Sequence, residues 1–145
     1  MFTSVSTRAA SAYQRVGIET SIDGASPHHL IKLLFDALLH ALACARQALA
    51  RGDITQKGAE IGKAVRILEE GLKAGLNASE GGDVAANLRG VYSYSIWCLT
   101  QANLKNDDAK LVEVLALIEP VADAWKQMAP AAAATPSSVA RSAGA

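Results

Sequence analysis

Four long segments with apolar residues at helical spacing, separated by short polar connections, constrain the fold of this chain most strongly. Each segment is preceded by a residue suited to capping a helix: Ser26 (before Pro27), Asp53, Asp83 and Asp107. We predict helices over residues 27–51, 54–76, 84–104 and 108–128. Because the connections are short, each helix must run antiparallel to the next. The sequence therefore predicts an all-α fold, an antiparallel up-down-up-down four-helix bundle over residues 26–129.

The two ends of the chain lack this pattern. Residues 1–25 mix apolar and small polar side chains, and we predict an N-terminal cap segment with a short helix over residues 4–15 and an extended stretch after it. Residues 130–145 have neither periodicity nor bulky side chains, which predicts a disordered C-terminal tail. Within the fourth helix, Pro120 removes a backbone hydrogen bond, so we expect a kink or a loosened turn there.

Two of the predicted helices are apolar around more of their circumference than one buried face requires. At about 100° per residue, apolar side chains cover an arc of about 220° on the first helix and about 200° on the third. On the second helix they cover roughly 120°, as a single buried face demands. The excess predicts a second apolar surface that involves the first and third helices.

Two rows of side chains are candidates for that surface. The rows are Val91, Tyr94 and Cys98 on the third helix and Leu33, Ala37 and Cys44 on the first. We predict that they frame a hydrophobic groove for an incoming amphipathic helix. Tyrosine suits the rim of such a groove, because its ring is apolar while its hydroxyl stays in water. We also hypothesise that apolar residues of segment 1–25 occupy the groove when no partner is present.

Composition excludes several classes of protein. The chain carries 14 basic and 14 acidic residues without a Lys/Arg cluster, so we expect no binding to nucleic acid. No apolar run reaches the roughly 18 residues of a membrane span, and residues 1–15 lack an apolar signal core. We expect a cytoplasmic protein without membrane insertion, in which Cys44 and Cys98 are packed thiols in a reducing compartment.

The chain lacks the residue constellations that catalysis or metal binding needs, so we expect no enzyme activity, metal or other cofactor. No glutamate precedes His28, His29 or His40 at di-iron spacing, and nothing completes a zinc site. One alternative stays open, a histidine phosphotransfer-type signalling bundle, in which an exposed helical histidine carries a phosphoryl group. His40 lies on the polar side of its helix beside Asp36 and Gln47, although an ordinary solvated histidine has the same pattern.

A series of short motifs also runs in order through residues 13–126. The series comprises Tyr13-Gln14-Arg15, Ala25-Ser26-Pro27, Leu30-Ile31, Leu34-Phe35-Asp36, Ala64-Val65-Arg66-Ile67-Leu68-Glu69-Glu70-Gly71-Leu72, Gly81-Gly82-Asp83-Val84-Ala85-Ala86-Asn87-Leu88, Val91-Tyr92-Ser93-Tyr94, Ala102-Asn103-Leu104-Lys105-Asn106-Asp107, Leu111-Val112-Glu113-Val114 and Ala124-Trp125. In this order and spacing, the chain resembles the FliS family of flagellar secretion chaperones, the export chaperones of flagellin. Phe35 stands where that family usually has tyrosine, Ala37 where glycine is common, and Pro120 is atypical of its last helix.

The resemblance implies a function and a mechanism. Members of the family bind the C-terminal segment of newly made flagellin in the cytoplasm. That segment is disordered alone and folds into helices as it wraps the chaperone. Binding prevents premature filament polymerisation, and the complex is delivered to the gate of the flagellar type III export apparatus. Neither nucleotide nor metal takes part. The excess apolar surface also allows a homodimer.

The resemblance and the apolar patterns together suggest which residues contact flagellin. Tyr13 and Ile18 are expected to form a lead-in that covers or reshapes the groove. Asp36 and Asn103 are the polar candidates for hydrogen bonds to the partner backbone. The wall and floor of the groove are expected to consist of Leu30, Leu34, Leu38, Leu88, Val91, Tyr92, Tyr94 and Leu99, several of which also belong to the core.

Overall fold

A computed structural model describes residues 26–76 and 78–128, and of residues 78–80 only the backbone. The described part of the chain is helical and contains no strand, which confirms the predicted all-α bundle. Its elements are α1 (Pro27–Ala50), α2 (Ile54–Arg66) with a π-helical continuation (Ile67–Lys73), α3 (Ala78–Lys105) and α4 (Asp108–Gln127). The predicted cap segment 1–25 and tail 130–145 lie outside the described residues.

Three of the four predicted helix starts are confirmed by capping hydrogen bonds. The side chain of Ser26 accepts a bond from the backbone N–H of His29, and Asp53 accepts one from Gln56. Asp107 accepts one from the backbone N–H of Ala109 at the start of α4. These caps satisfy N–H groups that have no partner inside the helix. The fourth start lies close to its predicted position, because the backbone of Ala78–Lys105 is non-helical at Gly82 and a second helical piece begins after it, next to Asp83.

The bend in α3 and the π-helical segment are the two departures from regular α-helix. Gly82 has φ 57° and ψ −131°, a conformation that side-chain-bearing residues rarely adopt. The second helix, predicted as one α-helix, becomes π-helical from Ile67 to Lys73, where each N–H bonds five residues back. Ile67, Leu68 and Leu72 still face the core there. Pro120 lies inside α4 and does not end it.

The helices pack around the bundle in chain order. α1 contacts α2 and α4, while α3 contacts α4 and the second helix, chiefly through its π-helical segment. α1 and α3 lie diagonally opposite and make at most marginal contact. The predicted groove between the first and third helices is therefore wrong, because short connections place consecutive helices side by side and alternate helices across the core.

Much of the broad apolar arc of α1 faces the core of the bundle, and Ile31, Leu33 and Leu49 on the same arc are partly buried against it. No large apolar side chain of α1 is exposed. By length and composition α1 could also cross a membrane, but the core helix of a soluble protein passes the same test. The helix packs against two neighbours, which accounts for an arc wider than one contact face. Its buried residues are Leu30, Leu34, Phe35, Leu38, Ala41, Leu42, Ala45 and Ala48.

Polar contacts tie the two ends of α1 to α4. The ring of His28 stacks on that of Trp125 at 4.9 Å between centroids. His28 Nε2 donates to the carbonyl oxygen of Trp125 (2.9 Å), and Trp125 Nε1 donates to the carbonyl oxygen of His28 (3.0 Å). At the other end, Arg46 donates two hydrogen bonds to the carboxylate of Asp108. On the opposite side of the bundle, α3 packs against the second helix chiefly through the π-helical segment and less through Ile54–Arg66.

Candidate functional site

An open apolar groove of about 400 Å³ lies between α2 and α3. Leu104 at its rim is 73% exposed, an unusual position for a large aliphatic side chain. We call this feature the α2–α3 groove. Its lining consists of Ile61, Gly62 and Val65 from α2 and Thr100, Asn103 and Leu104 from α3.

Gly62 lines the groove and Gly58 lies one turn before it, so α2 carries no side chain at these two positions. A Cβ atom placed on Gly62 would meet only Arg66 Nη1, at 3.8 Å, and one on Gly58 would meet only Asn103 Oδ1, at 3.8 Å. Ile54, exposed at the start of α2, continues the same face of the helix. From Ile54 to Val65 this face extends about 17 Å at about 1.5 Å per residue. The face is therefore long enough to accept about three turns of another helix.

A buried lysine holds the α3 wall in place. Lys57 is only 3% exposed, and its Nζ donates to the backbone oxygen of Asn103 (2.9 Å) and to Asn103 Oδ1 (2.7 Å). The cation thus lies at the C-terminal end of α3, where the helix dipole favours positive charge. Thr100 donates to the backbone oxygen of Ile96 (3.0 Å), so its hydroxyl is also satisfied within α3.

A second set of exposed aromatic side chains lies where α3 meets α4. The rings of Tyr94 and Trp97 stack at 5.9 Å, and Lys110 Nζ lies 5.2 Å from the ring centroid of Trp97. The hydroxyl of Tyr94 donates to the carboxylate of Glu113, and this bond raises the pKa of Tyr94 and lowers that of Glu113. Tyr94 is 42% exposed, as a rim residue would be, but it faces α4 instead of α1.

The structure brings together few of the residues predicted to contact flagellin. Asn103 lines the α2–α3 groove. Leu88 and Val91 are partly buried against the core, and Asp36 forms ion pairs on the α4 side of α1. Tyr13 and Ile18 lie outside the described residues. The predicted wall residues that are buried in the core are Leu30, Leu34, Leu38, Tyr92 and Leu99.

Burial in the core affects the pKa of Tyr92, one of the predicted wall residues. Tyr92 is 3% exposed, and burial raises its pKa to about 12. Phe35, where the family usually has tyrosine, is also buried in the core. Within the described residues, neither ring reaches a surface that a partner could touch without opening the bundle.

The remaining groove residues were missed from the sequence, because the narrow apolar arc of the second helix fits a single buried face. The missed residues are Ile61, Gly62, Val65, Thr100 and Leu104. The sequence contains one feature that could have indicated the groove: Gly58 and Gly62 lie four residues apart on a surface helix. Glycine inside a helix costs about 1 kcal/mol relative to alanine, so a repeated glycine suggests a packing or functional reason.

The His, Cys, Asp and Glu side chains of the described residues are the candidates for metal binding. The described residues contain no group of three or more of these side chains able to hold a metal ion. His40 is exposed, and its Nε2 lies 3.4 Å from the Sγ of Cys44. Cys44 and Cys98 are both free thiols, and Cys98 is buried.

Similarity to known proteins assigns the chain to a family. The family model of the flagellar protein FliS matches residues 9–132. The chain is 46% identical over 121 residues to the flagellar secretion chaperone FliS of Salmonella typhimurium, covering 83% of this chain and 90% of that protein. It is 43% identical over 118 residues to the flagellar secretion chaperone FliSB of Pseudomonas aeruginosa, covering 81% and 93%. With the FliS of Escherichia coli it shares 37% identity over 120 residues, covering 83% and 88%. The chain belongs to the FliS family of flagellar secretion chaperones.

Proposed function

We propose that this protein is a cytoplasmic export chaperone that binds the C-terminal segment of flagellin. In this role it prevents premature filament polymerisation and delivers flagellin to the flagellar type III export gate. Membership of the FliS family supports the export role. The observation that carries the proposed binding mode is the α2–α3 groove, an open groove whose rim includes the exposed Leu104 and whose lining includes the core residue Ile61.

The shape of the groove suits a helix that forms on binding. A disordered segment loses conformational entropy when it folds, and burial of its apolar face must offset that loss. Val65 and Leu104 offer aliphatic surface along the groove, above the buried Ile61, and Gly62 leaves room for a large side chain between them. An amphipathic helix with anchors at i, i+3 or i+4, and i+7 would fill such a groove.

Tyr13 and Ile18 retain their predicted role in this proposal. We propose that segment 1–25 covers apolar surface when flagellin is absent and yields when it binds. Deletion of residues 1–15 should then increase the fluorescence of a dye that binds exposed apolar surface. Unchanged dye binding would contradict the covering role and leave the groove itself unaffected.

Asp36 tests whether flagellin also contacts the bundle outside the groove. Its carboxylate oxygens lie 3.6 Å from Lys32 Nζ and 3.4 Å from Lys126 Nζ, on the side of α1 that meets α4. A wrapped segment would reach this side, so Asp36→Lys should weaken flagellin binding several-fold. The fold should stay intact, because exposed ion pairs contribute about 1 kcal/mol or less. Unchanged affinity would exclude Asp36 from the binding surface.

A binding titration tests the proposed function. The purified chain is titrated calorimetrically with the C-terminal segment of flagellin from the same organism, and helix content is followed by far-ultraviolet circular dichroism. We expect 1:1 binding with a dissociation constant of about 1 μM or tighter and a gain in helix beyond the sum of the parts. A scrambled segment of the same composition is the control. Equal behaviour of the two segments would refute the proposal.

A further inference from the structure

The polar groups at the α2–α3 groove are all hydrogen-bond donors or already satisfied. None of the lining residues is acidic. The Thr100 hydroxyl donates within α3, as described above. The side chains of Asn103 and Arg66 are left to consider. Their orientation determines which hydrogen-bonding group a bound segment must carry.

The amide of Asn103 is held in one orientation by Lys57. An ammonium group has donors only, so the atom that faces Lys57 Nζ at 2.7 Å must be the amide oxygen. Lys57 is buried and cannot leave without exposing the oxygens that it bonds. The NH₂ group of Asn103 is thereby left on the exposed side, with two donors that no acceptor among the described residues occupies.

Arg66 adds a positive charge beside the groove, one turn after the lining residue Gly62 on α2. Its Nη1 lies 3.8 Å from the position of a Cβ on Gly62, which lines the groove. Arg66 is exposed. Within residues 26–76 and 78–128, its guanidinium forms no ion pair. A guanidinium is well suited to bind a carboxylate with two parallel hydrogen bonds.

We propose that the α2–α3 groove selects a helical segment that carries a carboxylate beside its apolar anchors, received by Arg66 and the NH₂ group of Asn103. This proposal rests on the proposed function, because it describes the flagellin segment that enters the groove. An apolar helix that covers the NH₂ group of Asn103 without supplying an acceptor would leave its donors unpaired, which is costly. The groove therefore discriminates among apolar helices by charge as well as shape.

Asn103→Asp is the sharpest variant, because it preserves the shape of the side chain and the oxygen that Lys57 needs. It replaces the two donors by a second acceptor and adds a negative charge. We expect the affinity for the flagellin C-terminal segment to fall about tenfold, with little change in urea unfolding. Arg66→Glu should cost at least as much, and Arg66→Lys should retain most of the affinity. Arg89→Glu, the same charge change elsewhere on α3, is the control.

Substitutions in the flagellin segment identify the group that accepts hydrogen bonds from Asn103 and Arg66. Each aspartate and glutamate of the flagellin segment is changed singly to asparagine or glutamine. One change should weaken binding to the unmodified protein but not to Arg66→Gln, since paired groups show non-additive effects. The salt dependence of binding should also decrease in Arg66→Gln.

The outcomes separate this proposal from the proposed function. If the segment binds the unmodified protein, yet Asn103→Asp and Arg66→Glu behave like Arg89→Glu, the charge selection is wrong and the chaperone role stands. If every acidic residue of the segment is dispensable, a backbone carbonyl group is the acceptor and the carboxylate is wrong. If the segment does not bind the unmodified protein, the proposed function fails.

Discussion

Replacing Gly62 by tryptophan should lower the affinity for the flagellin C-terminal segment at least about 100-fold, or about 2.7 kcal/mol. The indole would occupy the space that an apolar anchor of flagellin is proposed to fill. A Cβ at this position meets only the tip of Arg66, a flexible side chain, so the backbone need not move. The free energy of unfolding should change by about 1 kcal/mol or less. The affinity is measured by calorimetry and the stability by urea unfolding.

Gly90 supplies the matched control for this prediction. It is a second helical glycine, on α3, and a Cβ there meets nothing within 4 Å. Gly90→Trp adds the same bulk outside the groove and should leave the affinity within about twofold of the unmodified protein. If Gly62→Trp and Gly90→Trp bound flagellin equally well, the α2–α3 groove would not hold the segment.

Leu38→Ala should lower the free energy of unfolding by about 2–5 kcal/mol, as expected for truncation of a buried leucine. Leu38 is fully buried in the cluster formed by all four helices. We therefore expect Leu38→Ala to lower the stability of the fold. The molecules that remain folded should bind flagellin with unchanged affinity. Urea unfolding measures the first quantity, and calorimetry at a temperature well below the midpoint measures the second.

Val84→Ala is the control, because Val84 is 67% exposed and its truncation should change stability by about 0.5 kcal/mol or less. A similarly small change for Leu38→Ala would contradict its place in the core. A large loss of affinity in folded Leu38→Ala protein would instead support the sequence-based prediction that this residue forms the floor of the groove.

The helices could be predicted from the sequence because their signals are local. Ser26, Asp53 and Asp107 each bond a backbone N–H within three residues, so the sequence spacing alone identifies the cap. The bend at Gly82 and the π-helical segment were missed. Apolar spacing over residues 61–72 fits an α-helix and a π-helix alike, and only packing against neighbouring helices decides between them.

The groove was harder to predict because it depends on which helices are neighbours. The sequence shows that α1 and α3 have wide apolar arcs, but the bundle buries that of α1 between α2 and α4. An open groove remains between α2 and α3, beside Gly62. The roles of Asn103 and Lys57 depend on contacts 46 residues apart in the chain. No local pattern contains such information.

The most direct test of the account is a methyl NMR titration of the isotope-labelled protein with the C-terminal segment of flagellin. We predict large shifts for the methyl groups of Ile61, Val65 and Leu104, which line the groove. Val112, which is exposed on α4, serves as an internal reference and should shift little. Shifts at Val112 with unperturbed Ile61, Val65 and Leu104 would show that flagellin binds elsewhere, and would contradict the account.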